Sequence, residues 1–252
     1  MKKIIFILLL ALVDYNVNAQ IVNVESIRKV SDTSRWSGYA NLSFDLTKNK
    51  NRIFNFKNKV HIQYLYEKNL VLVVNDINFK ESNNSKLVSK GTQHIRYNYR
   101  FSNRFALEAF AQSQYDEISA IEFRGLLGTG VRFKVSKSDD YNFFMGILSM
   151  FEYERINNNL EDVIHRDFRN STYVSFSLFP KNDIAIVSTT YYQPLYRDFE
   201  DYRLSNDTSV VINIFKNLAF NLGFTYLYDA MPALEVPKEQ YKITNGLTYS
   251  FN

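Results

Sequence analysis

Apolar and polar residues alternate with a period of two over most of this 252-residue chain, and no other feature constrains the fold as strongly. Near the C-terminus, one face of a segment carries Tyr241, Ile243, Leu247 and Tyr249, and the positions between them are mostly lysine, threonine and glycine. Successive side chains of a β-strand point to opposite faces of the sheet. The alternation is therefore typical of strands whose two faces meet different surroundings.

Turn-forming residues divide the chain after residue 35 into twelve alternating segments. They span 36–47, 52–66, 69–81, 87–101, 104–116, 119–135, 141–156, 166–179, 183–197, 204–216, 218–228 and 239–251. Connections after even segments are short, whereas several after odd segments are longer, notably 157–165, 198–203 and 229–238. Bacterial outer-membrane barrels have an even strand number, short periplasmic turns and longer extracellular loops. We therefore predict an all-β fold, a closed antiparallel transmembrane β-barrel of about 12 strands in an up-and-down meander.

The chemistry of the two faces favours a membrane barrel over a soluble one. Aromatic residues make up 16% of the chain, and nearly every segment places bulky rings on its apolar face. Rings from twelve strands would overfill the inside of a closed barrel, so we assign this face to lipid and the charged face to the interior. Tyrosines near segment ends fit the aromatic girdles of such barrels. A soluble two-sheet sandwich is the alternative.

The N-terminus carries the features of a secretory signal peptide. Lys2 and Lys3 precede an apolar run from Ile4 to Val13, and Ala19 stands at the expected cleavage site. Ten apolar residues are about half of what a membrane-spanning helix needs. We predict a signal peptide over 1–19, a periplasmic lead-in over 20–35 and the barrel over 36–252, in the outer membrane of a Gram-negative bacterium. The chain has no cysteine, which excludes disulfides.

One hairpin carries a family resemblance. The stretch Leu107–Val135 joins a Gln/Tyr-rich strand (Gln112–Tyr115) to a strand with Leu-Leu-Gly-x-Gly (Leu126–Gly130), and the chain closes on Gly246–Phe251. These motifs resemble the family of salt-induced outer-membrane proteins, whose function is unknown. The resemblance implies an outer-membrane barrel and assigns no catalytic residue. Lys48-Asn49-Lys50-Asn51 departs from it, because such proteins often have a glycine-rich loop there.

Charged residues on the polar face are the candidate lining of the interior. They are Lys57, Lys59, His61, Arg96, Arg100, Glu108, Glu122, Arg124, Arg132 and Glu152. Pairing across the predicted turns can bring Arg96 to Glu108 and Arg124 to Glu152. In one interpretation these charges only stabilise the barrel wall, and in the other they line a narrow path for small polar or anionic solutes.

Two further functions remain open from the sequence. A structural or adhesive barrel would act through its long extracellular loops. An outer-membrane lipid hydrolase would need a nucleophile and a base on the outer face. His61 and His94 fall on the predicted inner face and His165 in a loop, so we predict no catalytic residue and no enzyme.

The sequence also predicts few partners. No metal site and no cofactor are expected. A net charge of +4 without a concentrated basic face argues against nucleic acid. The expected partners are outer-membrane lipid and the barrel assembly machinery, and the protein is predicted to be a monomer.

Overall fold

The computed structural model describes residues 35–48, 52–83, 85–138, 140–157, 162–181, 183–215, 218–233 and 235–249. The predicted signal peptide (1–19) and all but the last residue of the predicted lead-in (20–35) lie outside the described residues. The same holds for 250–252 at the end of the predicted final strand.

Twelve strands form a single sheet in which each strand pairs with the next one along the chain. They are β1 (Trp36–Lys48), β2 (Arg52–Tyr66), β3 (Asn69–Ser82), β4 (Ser85–Arg100), β5 (Phe105–Asp116), β6 (Ile121–Lys137), β7 (Tyr141–Asn157), β8 (Asp162–Lys181), β9 (Ile184–Leu195), β10 (Asp198–Phe215), β11 (Leu218–Asp229) and β12 (Glu239–Tyr249). All eleven pairings are antiparallel. The predicted all-β antiparallel meander of about twelve strands is confirmed.

Helical structure in the described ranges is limited to short turns such as Glu117–Ser119, between β5 and β6. None of it has the length and apolar character that a membrane-crossing helix requires.

Two connections predicted to be long loops are mostly strand. β7 continues to Asn157 and β8 begins at Asp162, so four residues separate these two strands. Only two residues lie between the end of β9 and the start of β10 at Asp198. Polar residues there continue the ladder, with Glu154 opposite His165. Strand propensity depends on the surroundings of each side chain, so the polar sequence led us to place the starts of β8 and β10 four and six residues too late. The connection 230–238 remains long, as predicted.

The two faces of the sheet differ sharply in exposure. On one face Glu108 and Leu148 are buried, whereas their chain neighbours Leu107 and Ile147 on the other face are 44% and 46% exposed. We call the buried side the inner face and the other the outer face. Large apolar side chains dominate the outer face, among them Leu42, Phe44 and Leu127.

Aromatic side chains on the outer face meet near both ends of the sheet. At the end that holds the turns after even strands, which we call the even-turn end, the ring of Trp36 lies 4.6 Å from that of Tyr64. At the opposite, odd-turn end, the Tyr202 ring lies 5.6 Å from Tyr192 and 5.5 Å from Tyr228. The outer face thus has aromatic contacts near both of its ends, where the aromatic girdles of membrane barrels lie.

Polar residues of the outer face bond to one another across strands. Asn75 donates to Asn58 (2.8 Å), Gln93 donates to Asn75 (3.3 Å), and Ser113 donates to Gln93 (2.9 Å). This ladder runs from β2 to β5. Polar groups that face hydrocarbon need such partners, because no water is available there.

The inner faces of β2 and β12, near the two edges of the sheet, are turned to a common space. Among the described residues no ladder joins β12 to β1. Nevertheless Lys242 on β12 interacts electrostatically with Lys57 and Lys59 on β2. The sheet therefore curves around an interior.

One side of that interior is filled by a packed cluster from β5 to β9. Its members are Phe110, Leu126, Leu148, Met150, Tyr173 and Tyr191. Two glycines make room for the rings: a Cβ on Gly128 would lie 2.3 Å from the Phe110 ring, and one on Gly146 would lie 2.1 Å from the Tyr173 ring.

The charged interior as a candidate functional site

Glu152 on β7 is the centre of the larger charged cluster. Its side chain is fully buried and receives hydrogen bonds from three arginines, Arg124 on β6, Arg169 on β8 (2.6 Å) and Arg203 on β10. Strands β8 and β9 lie between β7 and β10 in the sheet, so the Arg203 contact crosses the interior. These three cationic donors compensate the cost of removing the Glu152 carboxylate from water.

Further carboxylates neutralise the same arginines. Arg203 donates to Glu154 (2.9 Å) and to Asp229 on β11 (2.8 Å), and Arg169 donates to Asp201 on β10 (3.0 Å). The cluster therefore contains three arginines and four carboxylates. It joins five strands and leaves no excess positive charge for a solute.

A second cluster surrounds Glu108 on β5. Its carboxylate, 0% exposed, accepts hydrogen bonds from Asn98 and Arg96 on β4 and from the hydroxyl of Tyr173 on β8 (2.8 Å). The Arg96 guanidinium also lies 5.1 Å from the centre of the Phe110 ring. This cluster and the packed apolar residues close the β5–β9 side of the interior.

Both predicted ion pairs form, but not between directly opposed residues. Arg96 contacts Glu108 at 3.4 Å, although its partner in the ladder is Phe110. Arg124 contacts Glu152, although its ladder partner is Glu154. Each pair is diagonal, because the length and irregularity of the intervening turn shift the register by two residues.

The β2 and β12 side of the interior is more open and carries lysines. Lys57 is exposed on the inner face, and the Lys59 side chain keeps 44% exposure while its ammonium lies 3.6 Å from Asp76. Lys242 interacts with both lysines. The sequence prediction omitted Lys242, although the alternation of the last segment had placed it on the polar face.

A basic vestibule lies on the inner face at the even-turn end. It is a cavity of about 220 Å³. Its charged lining consists of Lys68, Arg100, Arg104, Arg132, Lys134 and one acid, Glu67. The Arg132 guanidinium lies 3.8 Å above the centre of the Phe144 ring.

A comparison with sequence families identifies the group to which the chain belongs. The family described as "Protein of unknown function, DUF481" matches residues 31–251. The chain is a DUF481 protein. No curated protein matches it in sequence.

Solved structures that match this DUF481 protein share little sequence with it. The NanC porin, in a rhombohedral crystal form, has a TM-score of 0.48 and 9% identity, over 83% of this chain and 100% of that chain. The KdgM porin has a TM-score of 0.40 and 10% identity over 86% and 99% of the two chains. The KdgM porin in complex with disordered oligogalacturonate has a TM-score of 0.38 and 10% identity over 83% and 99%.

The predicted site residues of the DUF481 protein thus fall into separate groups. Arg96, Glu108, Arg124 and Glu152 are in the two buried clusters, Lys57 and Lys59 line the open side, and Arg100 and Arg132 line the vestibule. His61 is buried on the inner face of β2.

Glu122 departs from the prediction. A bulge at the start of β6 breaks the alternation between Ile121 and Phe123. The Glu122 side chain is 43% exposed and pairs with Arg155 at 2.6 Å. Since Arg155 lies opposite Phe123 of the outer face, the pair is not part of the interior.

The three histidines of this DUF481 protein do not form an outer-face site. His61 and His94 are buried on the inner face, and His94 Nδ1 lies 2.9 Å from Gln112 Oε1. His165 lies on β8 opposite Glu154, a residue of the inner face, and not in a loop as predicted. The arrangement that a lipid hydrolase would need at the lipid surface is not built from these histidines.

Proposed function

We propose that this protein is an outer-membrane channel that conducts small anionic solutes along the lysine-lined side of its interior. One observation carries the proposal: in the open part of the interior Lys57, Lys59 and Lys242 outnumber the nearby acids Asp76 and Asp207, whereas the arginines of the opposite side are neutralised by carboxylates. Fixed positive charges along a narrow pore favour anions over cations.

The outer face supports the membrane location. Bulky apolar side chains cover it, aromatic contacts occur near both ends, and its polar residues between β2 and β5 bond to one another. Transfer of Leu42, Phe44 and Leu127 from water to lipid would be favourable, by a free energy of about 25 cal/mol per Å² of apolar surface.

Export and orientation belong to the same proposal. The signal peptide over 1–19 would direct the chain out of the cytoplasm, and closure of the sheet would remove its two open edges. With twelve strands the start of β1 and the end of β12 lie at the same end of the sheet, and in this proposal that even-turn end faces the periplasm, as the short turns of such barrels do. Membership of the salt-induced outer-membrane proteins, which the motifs of the β5–β6 hairpin resemble, is part of this proposal.

Planar-bilayer recording tests the channel directly. The purified protein is inserted under a KCl gradient, and the reversal potential measures the preference for Cl⁻ over K⁺. We expect a reversal potential with the same sign as the equilibrium potential of Cl⁻. The double variant Lys57→Gln/Lys242→Gln should move it towards zero, because two of the selecting charges are removed.

A matched double variant controls for loss of charge in general. Arg155 and Arg166 lie at outer-face positions of β7 and β8, so Arg155→Gln/Arg166→Gln removes two charges that do not line the interior. Its selectivity should equal that of the unaltered protein. A protein that inserts without conducting, or equal selectivity in both double variants, would favour the interpretation that the charges only stabilise the wall.

The alternative of an adhesive barrel has less support. Only two residues separate β9 from β10 and four separate β7 from β8, so those connections offer little contact surface. The connection 230–238 is long, but Met231 and Pro232 line a cavity together with Arg124 and Arg203 of the interior.

A further inference from the structure

The basic vestibule has a larger excess of positive charge than either the lysine-lined side of the interior or the Glu152 cluster. Five cationic side chains and one carboxylate line it, whereas the Glu152 cluster combines three arginines with four carboxylates. Cavities lined by charges of one sign raise the local concentration of ions of the opposite sign. The vestibule is therefore the part of the interior where an anion is most strongly favoured.

The buried carboxylate of Glu108, behind the vestibule wall, is not available to neutralise the vestibule. Glu108 is fully buried beyond Asn98, which lines the vestibule, and Glu108 is already engaged by Arg96, Asn98 and Tyr173. Its charge is balanced within its own cluster. Glu67 remains the sole acid in the lining, and its main-chain carbonyl accepts from Arg100 at 3.4 Å.

The arginines provide suitable geometry for oxyanions. Arg132 stacks on Phe144, which holds its guanidinium, a planar fork of N–H donors, in the lining of the cavity. Such a fork binds two oxygens of one phosphate or carboxylate group. Arg100, Arg104 and Lys134 add donors around the same cavity.

We propose that the basic vestibule is a binding site for multivalent oxyanions, of which inorganic pyrophosphate is a simple probe. A monovalent anion would leave most of the positive excess in place, whereas several negative charges on one solute would balance it. The cavity of about 220 Å³ is much larger than the roughly 10–15 Å³ that one water requires. Passage of the bound solute rests on the proposed function. Binding does not, because it can be measured whether or not the protein conducts.

Isothermal titration calorimetry of the full chain in neutral detergent tests the site. Pyrophosphate is titrated at constant ionic strength, and chloride serves as the monovalent comparison. We expect saturable pyrophosphate binding and none for chloride. Arg100→Gln/Lys134→Gln should weaken pyrophosphate binding at least tenfold, and Arg155→Gln/Arg166→Gln should leave it unchanged.

A second pair of substitutions distinguishes loss of binding from loss of folding. Lys68 and Arg104 lie in the turns that follow β2 and β4, outside the strands, so Lys68→Gln/Arg104→Gln leaves the ladders intact. It too should weaken binding. Absent binding to the unaltered protein, or full binding in both vestibule variants, would overturn the inference.

The result separates the two proposals. Anion-selective conductance without pyrophosphate binding would remove the vestibule site and leave the channel. Pyrophosphate binding in a protein that inserts without conducting would remove the channel and leave the site.

Discussion

The hydroxyl of Tyr173 on β8 donates a 2.8 Å hydrogen bond to the fully buried carboxylate of Glu108 on β5. The two residues are 65 positions apart, and two strands lie between theirs in the sheet. The bond therefore links parts of the wall that are not paired with each other. We call this hydrogen bond across the filled side of the interior the Tyr173–Glu108 tie.

Tyr173→Phe should weaken this tie without changing the shape of the packed cluster. Glu108 would lose one of its donors, and a buried charged acceptor left short of partners costs about 1–3 kcal/mol. We expect the urea midpoint of unfolding in detergent to fall. Tyr192→Phe, on the outer face, is the control and should stay within about 0.5 kcal/mol. Equal midpoints for both variants would argue against the tie.

Gly146→Ala should destabilise the protein through overpacking. The added Cβ would lie 2.1 Å from the Tyr173 ring, which has no room to move within the buried cluster. Such clashes typically cost about 1–3 kcal/mol. Gly246→Ala is a matched control, since a Cβ there has no neighbour within 4 Å. The difference in unfolding midpoint between the two variants measures the effect, and no difference would contradict this packing.

Glu152→Gln should be among the most damaging single changes of charge. It leaves Arg124, Arg169 and Arg203 buried with one fewer carboxylate, and a broken buried pair costs about 3–5 kcal/mol. The same change at the half-exposed Glu122 should cost less than about 1 kcal/mol, because exposed pairs contribute little. Urea unfolding of both variants is the measurement. Similar losses would show that the Glu152 cluster is not a buried network.

The single tryptophan reports which face meets lipid. Trp36 is 67% exposed on the outer face near the even-turn end, and no other tryptophan exists in the chain. Lipids brominated near the headgroup should quench its fluorescence strongly. In Trp36→Phe/Phe144→Trp the sole tryptophan is on the inner face, and quenching should be weak. The opposite order would reverse the assignment of the two faces.

The local pattern of the chain was sufficient for the architecture. Period-two alternation and turn residues predicted about twelve antiparallel strands, and most strand ends lie within three residues of the prediction. The larger errors, at the starts of β8 and β10, arose where polar side chains continue the ladder. Alternation also placed Lys57, Arg96 and Glu152 on the polar face, because side-chain direction in a strand is a local property.

The grouping of those charges depended on the tertiary structure. Arg96 and Arg124 are neutralised by acids, Arg100 and Arg132 share a vestibule, and Glu122 leaves the interior at a bulge. Contacts such as Arg203 with Glu152 join residues 51 positions apart, across two intervening strands. Their approach is set by the curvature of the sheet and the offsets between strands, which accumulate over many pairings. Apart from Glu122 at its bulge, the sequence alone determined which side these predicted site residues face, whereas only the folded sheet decided which charges meet.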